Sequence, residues 1–249
     1  NIDHLWLFFS VIFTTSSGYL INNYYDINSD ELNKKNIEGL SKKFYRNCYL
    51  FHFLFSFVIL FISNLSAGWM NLVIISHFLV YLYSLKLQHW PIIGNLIVAL
   101  LCSIVLIIPY WLTDKFWELE NFNLSENLNQ LFVIFCFLLT VKREIVKDLE
   151  DIQGDLKTRS YTLPILIGEK HSKLVLGILV IISIGFLIIC ALESTKNIQN
   201  MGFFFTMISL LIAFIYKTYK SFEKTDFKKL SNLLKINFLA AGIWLYILS

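Results

Sequence analysis

Residues 5–30 read L-W-L-F-F-S-V-I-F-T-T-S-S-G-Y-L-I-N-N-Y-Y-D-I-N-S-D, an apolar run that ends in a series of amides and carboxylates. The apolar part approaches the roughly 20 helical residues that cross the hydrocarbon core of a bilayer. Its polar end has two interpretations, because many membrane helices end in a solvated cap, whereas carboxylates beside a membrane are costly enough to mark a functional site. The stretch predicts a membrane-spanning helix, and the rest of the chain decides between the two interpretations.

The 249-residue chain is strongly apolar, with 56% hydrophobic and 16% charged residues, whereas soluble domains have about 25% charged residues. Backbone groups in lipid must be paired within the chain, and the apolar runs do not alternate polar and apolar residues as barrel strands do. The predicted fold class is therefore all-α, a polytopic bundle of transmembrane helices. We expect eight apolar segments, near 5–22, 45–63, 69–87, 92–112, 129–146, 174–192, 202–216 and 233–249.

Basic residues are concentrated on one side of the predicted bundle. All but two of the 21 Lys and Arg residues lie in or beside alternate loops, and only Lys115 and Lys196 fall in the others. Positive charge accumulates in cytoplasmic loops, so the loops at 22–46, around Lys86, at 142–173 and at 217–235 are predicted to be cytoplasmic. Both acidic clusters described below then lie on the cytoplasmic side.

Other partners and cofactors are less well supported by the sequence. The net charge of +3 does not indicate nucleic acid, because the basic residues are spread over loops that would attract lipid headgroups or an anionic substrate. The four cysteines form no C-x-x-C pair and are expected to pack as small hydrophobic residues. His52 and His77 lie within apolar runs, where haem ligation and hydrogen-bonded helix packing both fit and packing is favoured.

The first acidic cluster has helical spacing. Asn22, Asp26 and Asp30 follow i, i+4, i+8, which places them on one stripe of a continued helix, and we call them the first ladder. Asn23 is rotated by about 100° from that stripe. A solvated acidic cap remains the alternative for this cluster taken alone.

The second acidic cluster lies in V-K-R-E-I-V-K-D-L-E-D-I-Q-G-D, residues 141–155. We call its one-sided carboxylates the second ladder, which consists of Glu144, Asp148, Asp151 and Asp155. Like charges one turn apart repel, so an isolated helix gains nothing from this pattern and a cation should compensate. Oxygen ligands suit Mg²⁺, which is usually completed by waters and substrate phosphates. Two such ladders on one side of the membrane predict a diphosphate bound between Mg²⁺ sites.

Both ladders resemble motifs of the UbiA superfamily of intramembrane prenyltransferases. Residues 22–30 are similar to its N-D-x-x-D-x-x-x-D motif, and 147–155 to its K-D-x-x-D-x-x-G-D motif. The likeness extends to T-L-P-I-L-I-G at 162–168 and to Y-S-L-K-L-Q-H-W-P-I-I-G-N at 83–95, where members commonly read Y-S-x-R-L-K-x-x-P-x-x-G-N. The last eighty or so residues match the family only in hydropathy.

The resemblance implies a single domain over 1–249 with eight of the nine family helices, the first being absent. It implies transfer of a prenyl group from an isoprenyl diphosphate to a membrane-soluble, lipophilic or aromatic acceptor, in a bacterial or archaeal cytoplasmic membrane. The motif is closest to members that act on geranylgeranylglyceryl phosphate or on homogentisate. The implied Mg²⁺ ligands are Asn22, Asp26, Asp30, Asp151 and Asp155.

Further roles follow from the resemblance and from helical spacing. Glu144, Lys147 and Asp148 are the predicted catalytic residues, with Glu144 orienting or deprotonating the acceptor or else forming a snorkelling pair with its neighbour. The chain departs from the family at Asn23, at Gln88, where Lys is frequent, and after Asp30, where Pro and Arg are missing. Diphosphate contacts are therefore expected from Lys34, Arg46, Lys86 and Arg143.

Three other functional classes fit part of the pattern. A cation-coupled secondary transporter would use intramembrane carboxylates, but transporters tend to show paired repeats with broken helices and charges near the midplane. A structural membrane protein with acidic caps does not explain two matched one-sided ladders. A catalytically inactive relative of the prenyltransferases has the same motifs and is distinguished only by assay.

Overall fold

The computed structural model describes residues 2–32, 40–63, 67–111, 128–158, 160–193 and 198–248. These ranges form eight α-helices and one 3₁₀ turn, and they contain no strand. This confirms the predicted all-helical class and the eight segments. The helices are α1 (Ile2–Leu32), α2 (Lys42–Ile62), α3 (Ala67–Leu85), α4 (Ile93–Trp111), α5 (Leu128–Thr158), α6 (Leu163–Glu193), α7 (Ile198–Tyr219) and α8 (Lys224–Leu248), and the 3₁₀ turn is Leu87–His89.

Two helices extend well beyond the C-terminal ends of their apolar segments. The first segment was expected to end near residue 22 and the fifth near 146, but α1 continues to Leu32 and α5 to Thr158. Each extension contains one of the acidic ladders. The ladders therefore lie on helices, as their spacing predicts, and each follows a single helical face.

Five of the helices are long and apolar enough to cross a membrane by length and composition, and α4 contributes a shorter apolar stretch, Ile93–Leu106. Helices of this kind satisfy their own backbone hydrogen bonds, which lipid requires. The five spans are Leu5–Ile27, Lys42–Ile62, Gly68–Leu85, Leu163–Leu192 and Asn200–Tyr219.

The chain divides into two compact units, the first formed by 1–97 with 153–161 and the second by 98–152 with 162–249. In the first unit a buried polar contact joins α1, α2 and α3. His77 Nδ1 lies 3.2 Å from the Ser17 hydroxyl, and its Nε2 lies 2.7 Å from the Ser56 hydroxyl. The ring has the hydrogen-bonded, helix-packing position that was favoured from the sequence.

The second unit has a continuous apolar core built from α5 to α8 and part of α4. Phe135, Leu176, Met207 and Leu234 are fully buried in it. Lys142 of α5 is also fully buried, at 0% exposure, and its Nζ donates to the Ser183 hydroxyl of α6 at 2.5 Å. A lysine enclosed among apolar side chains is unusual, and its hydrogen bond to Ser183 reduces the cost of burial.

Helix α6 is interrupted near its start. Gly168 has φ 80° and ψ 161°, outside the helical region, in a conformation that residues with a Cβ rarely adopt. The stretch T-L-P-I-L-I-G at 162–168 therefore forms a short helical segment that precedes the long apolar part of α6. The glycine at its end is required by the backbone conformation.

Candidate active site

In the first unit, two amides hold the carboxylate of Asp26. Asn22 Nδ2 donates to Asp26 Oδ2 at 2.6 Å, and Gln88 Nε2 donates to Asp26 Oδ1 at 2.7 Å. Asn22 is one turn before Asp26 on α1, as the first ladder predicts, whereas Gln88 comes from the 3₁₀ turn. Asp30 lies on the same helix, and its side chain is outside the described part of the structure. Each carboxylate oxygen therefore has an uncharged donor.

The 3₁₀ turn also contacts the segment that follows the second ladder. The backbone N–H of Tyr161 donates to the carbonyl of His89 at 3.1 Å, and His89 Nδ1 lies 2.9 Å from the Ser160 hydroxyl. The Ser160 N–H in turn donates to the carbonyl of Asp155 at 2.9 Å. Hydrogen bonds within the first unit thus lead from Asp26 through the turn to the residues after Asp155.

The first ladder has the chemistry of a hard-cation site. Asn22 donates its amide N–H to Asp26. The other polar atom of this amide, Asn22 Oδ1, is buried and has no hydrogen-bond partner within the described ranges. A carboxylate has about four lone-pair positions, so Asp26 can accept two hydrogen bonds and still bind a cation. No group of three or more His, Cys, Asp or Glu side chains that could hold a metal occurs among the described residues. These residues fit Mg²⁺ bound by few protein oxygens and completed by waters and phosphates.

In the second unit, Glu144 forms an ion-paired cluster with two cations. Arg143 Nη1 donates to Glu144 Oε1 at 2.8 Å, and Lys147 Nζ donates to Oε2 at 2.9 Å. The Glu144 side chain is only 5% exposed, whereas Arg143 and Lys147 are much more accessible. The structure therefore brings together three of the predicted site residues, and both Glu144 oxygens accept from a cation.

Asp151 lies further along the same helix and is 14% exposed. Its Oδ1 is 3.7 Å from Nζ of Lys224, the first residue of α8. Asp148 and Asp155 are half-buried on α5. Lys224 was not among the predicted site residues, because only its position in a basic loop distinguishes it in the sequence.

The segment that carries Lys224 is fixed by neighbouring contacts. Lys173 Nζ donates to the Ser221 carbonyl at 2.5 Å and pairs with Glu169 at 2.6 Å. Asp226 accepts from the backbone N–H of Phe222 and of Glu223, and these hydrogen bonds hold the pKa of the Asp226 carboxyl below its usual value. A side chain that caps the first turn in this way stabilises the start of α8.

The structure shows few contacts for the other predicted substrate-binding residues, within the part of the chain that it describes. Arg46 is exposed on α2. Lys86 is exposed at the start of the 3₁₀ turn, with its Nζ 5.5 Å from the centroid of the Trp90 ring. Lys34 lies outside the described residues.

The chain is similar in sequence and in structure to known proteins. The model of the UbiA prenyltransferase family matches residues 2–240. A digeranylgeranylglyceryl phosphate synthase of Methanosphaera stadtmanae is 33% identical, over 94% of this chain and 83% of the relative, and that of Methanobrevibacter smithii is 30% identical, over 94% and 82%. A solved structure described as digeranylgeranylglyceryl phosphate synthase in membranes superposes with a TM-score of 0.65 at 23% identity, covering 98% of this chain and 84% of the other.

Proposed function

This chain belongs to the UbiA prenyltransferase family, and from that premise we propose that it transfers a geranylgeranyl group to geranylgeranylglyceryl phosphate in a Mg²⁺-dependent reaction. It is an integral membrane protein and a prenyltransferase, as the family and its apolar helices indicate. The acceptor is chosen over homogentisate because two relatives that share most of their length with this chain are named digeranylgeranylglyceryl phosphate synthases.

Asp26 carries the proposal, because its surroundings suit a cation that binds diphosphate. Its carboxylate is oriented by two neutral amides, and the buried Asn22 Oδ1 beside it needs a positive partner. An unsatisfied buried acceptor is costly, and a hard cation would remove that cost. We infer that Asn22, Asp26 and Asp30 hold Mg²⁺ and that Asp151 and Asp155 do so in the second motif.

The reaction breaks the bond between C1 of the prenyl group and the diphosphate oxygen and forms a bond from C1 to the acceptor hydroxyl oxygen, whose proton is released to water. The ligands Asn22, Asp26, Asp30, Asp151 and Asp155 would hold Mg²⁺, which would supply positive charge to the departing diphosphate. Arg143 presents further donors to phosphate oxygens, because its guanidinium has N–H groups beyond the one given to Glu144, and Lys147 adds positive charge beside it. Asp148 lies on the same face of α5 as Glu144, and we include it among the proposed catalytic residues.

Glu144 orients the substrate-binding cations in this proposal. The two ion pairs that its carboxylate forms are both with cations of the proposed site, Arg143 at Oε1 and Lys147 at Oε2. The sequence predicted that Glu144 orients or deprotonates the acceptor; we propose instead that it orients these two cations. The positions of Arg143 and Lys147 then depend on Glu144.

The active site is proposed to face the cytoplasm of an archaeal or bacterial cell. The loops that contain the two ladders carry most of the basic residues, and positive charge marks the cytoplasmic side. In this orientation Lys34, Arg46 and Lys86 are available to the diphosphate at the membrane surface.

An acceptor screen tests the function. Protein in lipid nanodiscs is incubated with radiolabelled geranylgeranyl diphosphate, Mg²⁺ and either geranylgeranylglyceryl phosphate or homogentisate, and labelled lipid is extracted and counted. We expect product with the glyceryl phosphate and loss of product in EDTA. Product with homogentisate alone would reassign the acceptor, and no product with any acceptor would indicate an inactive relative.

Glu144→Gln separates orientation from proton transfer. We expect KM for the prenyl diphosphate to rise about tenfold with a smaller change in kcat, because loss of a charge-assisted hydrogen bond costs about 1.5–3 kcal/mol. Steady-state kinetics over a range of diphosphate concentrations provides the measurement. Glu169→Gln is the matched control, because Glu169 also pairs with a lysine, at 2.6 Å, but belongs to neither ladder.

A general base would give a different pattern. Its loss lowers kcat by roughly 10²–10⁴-fold and removes one limb of the pH profile. If Glu144→Gln leaves KM unchanged and has this effect on kcat, Glu144 deprotonates the acceptor and the orienting role is wrong.

A further inference from the structure

The 3₁₀ turn Leu87–His89 lies outside both acidic motifs, and the proposed metal ligands do not include it. Its Gln88 Nε2 donates to Asp26 Oδ1 at 2.7 Å and also to the carbonyl of Ser84 at 3.1 Å. The second hydrogen bond fixes the amide group, so its position is set by the end of α3. The hydrogen-bond donor to Asp26 is therefore held in position by the protein.

The backbone of the turn is held on two sides. On one side, the His89 carbonyl and imidazole contact the Tyr161 N–H and the Ser160 hydroxyl. On the other side, Gly94 at the start of α4 lies so close that a Cβ there would be 2.8 Å from the Leu87 carbonyl oxygen. A Cβ at that distance would force the turn to move, because the contact is with backbone. The turn is therefore held by the packing around it and not only by Asp26.

The Gln88 side chain is uncharged, and this matters as well as its position. A lysine at this position would place an ammonium group beside Asp26, where it would compete with a bound cation for the carboxylate. The amide donates a hydrogen bond without adding positive charge, so it fixes the orientation of the Asp26 carboxylate without forming an ion pair with it. The buried Asn22 Oδ1, which has no hydrogen-bond partner within the described ranges, would be a second oxygen for a cation at this place.

We propose that the Leu87–His89 turn is a positioning element, in which Gln88 and Asn22 together orient the Asp26 carboxylate for a divalent cation. This rests on the proposed function, in which Asn22 and Asp26 hold Mg²⁺. Gln88 itself contacts Asp26 and acts through it. Its contribution should therefore be seen in cation affinity before it is seen in turnover.

Mn²⁺ binding, followed by the electron paramagnetic resonance signal of the free ion, tests the proposal without turnover. Wild-type protein and Gln88→Met are titrated with Mn²⁺ in the presence of a non-hydrolysable diphosphate. Methionine is similar in length and apolar, so it removes the donor with little change in volume. We expect the half-saturating Mn²⁺ concentration to rise about tenfold in Gln88→Met, as loss of a hydrogen bond to a charged group predicts.

Two further variants make the test specific. Gly94→Ala touches neither Asp26 nor the cation, but it displaces the Leu87 carbonyl, and it is expected to raise the half-saturating concentration in the same direction. Gln153→Met is the matched control, because Gln153 is exposed on α5, and it should bind Mn²⁺ as the wild type does. Size-exclusion profiles and thermal unfolding identify any variant that fails to fold, and Gln88→Met decides the result if Gly94→Ala does not fold.

The outcomes separate this inference from the proposed function. Wild-type protein that binds no Mn²⁺ would overturn the metal role of the first ladder. Wild-type protein that binds Mn²⁺ with the same affinity as Gln88→Met would overturn the positioning role alone. If the half-saturating Mn²⁺ concentration rises in Gln88→Met, but a folded Gly94→Ala variant binds Mn²⁺ as the wild type does, the effect is confined to the Gln88 donor. That result would overturn the role of the turn.

Discussion

Asp26→Ala is expected to lower kcat/KM for prenyl transfer by about a thousandfold or more. Neutralising the leaving diphosphate by a bound cation is worth several kcal/mol, and each 1.36 kcal/mol corresponds to a factor of about ten in rate. Asp26 accepts hydrogen bonds from both Asn22 and Gln88, so its loss also releases the two amides. Transfer of labelled geranylgeranyl groups at saturating Mg²⁺ measures the effect.

Asn23→Ala is the matched control for this substitution. Asn23 is adjacent to Asn22 but is rotated about 100° from the stripe that contains Asn22 and Asp26, although the family often has Asp at this position. We expect it to retain activity within about threefold of the wild type, because its position lies off the stripe of proposed ligands. Full turnover by Asp26→Ala would remove the metal argument for the first ladder.

Asp151→Asn is expected to have the second-largest effect, a loss of about a hundredfold to a thousandfold in kcat/KM. Asparagine keeps the shape and one acceptor oxygen, so the loss reports the missing negative charge rather than altered packing. The same prenyl-transfer assay is used, with Mg²⁺ varied, and partial recovery at high Mg²⁺ is expected. Unchanged activity at low Mg²⁺ would exclude Asp151 as a ligand.

Two controls accompany Asp151→Asn. Glu150→Gln removes a neighbouring charge that lies about 100° around the helix and outside the second ladder. Lys224→Met removes the cation 3.7 Å from Asp151 Oδ1, a pair that is exposed on the lysine side and is worth at most about 1 kcal/mol. Neither control should lose more than a fewfold in activity, and a Lys224→Met variant as impaired as Asp151→Asn would attribute the effect to the start of α8.

The features that the sequence predicted correctly are local. The i, i+4 spacing of the first ladder was sufficient to predict that α1 continues past its apolar segment, and the same holds for α5 and the second ladder. Helical class and the number of segments follow from hydropathy, because a membrane leaves few alternatives for the backbone. The contact of Asn22 with Asp26 is also a one-turn relation that spacing alone predicts.

The features that the sequence did not predict depend on contacts between distant residues. Gln88 was interpreted as the loss of a cation, yet it donates to Asp26 across 62 positions in the sequence. That contact requires α3 to end beside α1 and the chain to turn there, and neither can be derived from periodicity. The ion pair of Lys224 with Asp151 is a relation of the same kind, since it depends on how α8 begins.

Lys142 affects the order in which the chain can enter the membrane. During synthesis α5 emerges from the ribosome before α6, and the hydroxyl that receives the Lys142 ammonium group follows 41 residues later. An unpartnered lysine near the middle of a helix resists transfer into lipid, whereas the long apolar part of α6 inserts readily. We therefore expect α5 to enter the membrane together with α6 as a hairpin, so that the hydrogen bond between Lys142 and Ser183 in the folded bundle also constrains the order of insertion.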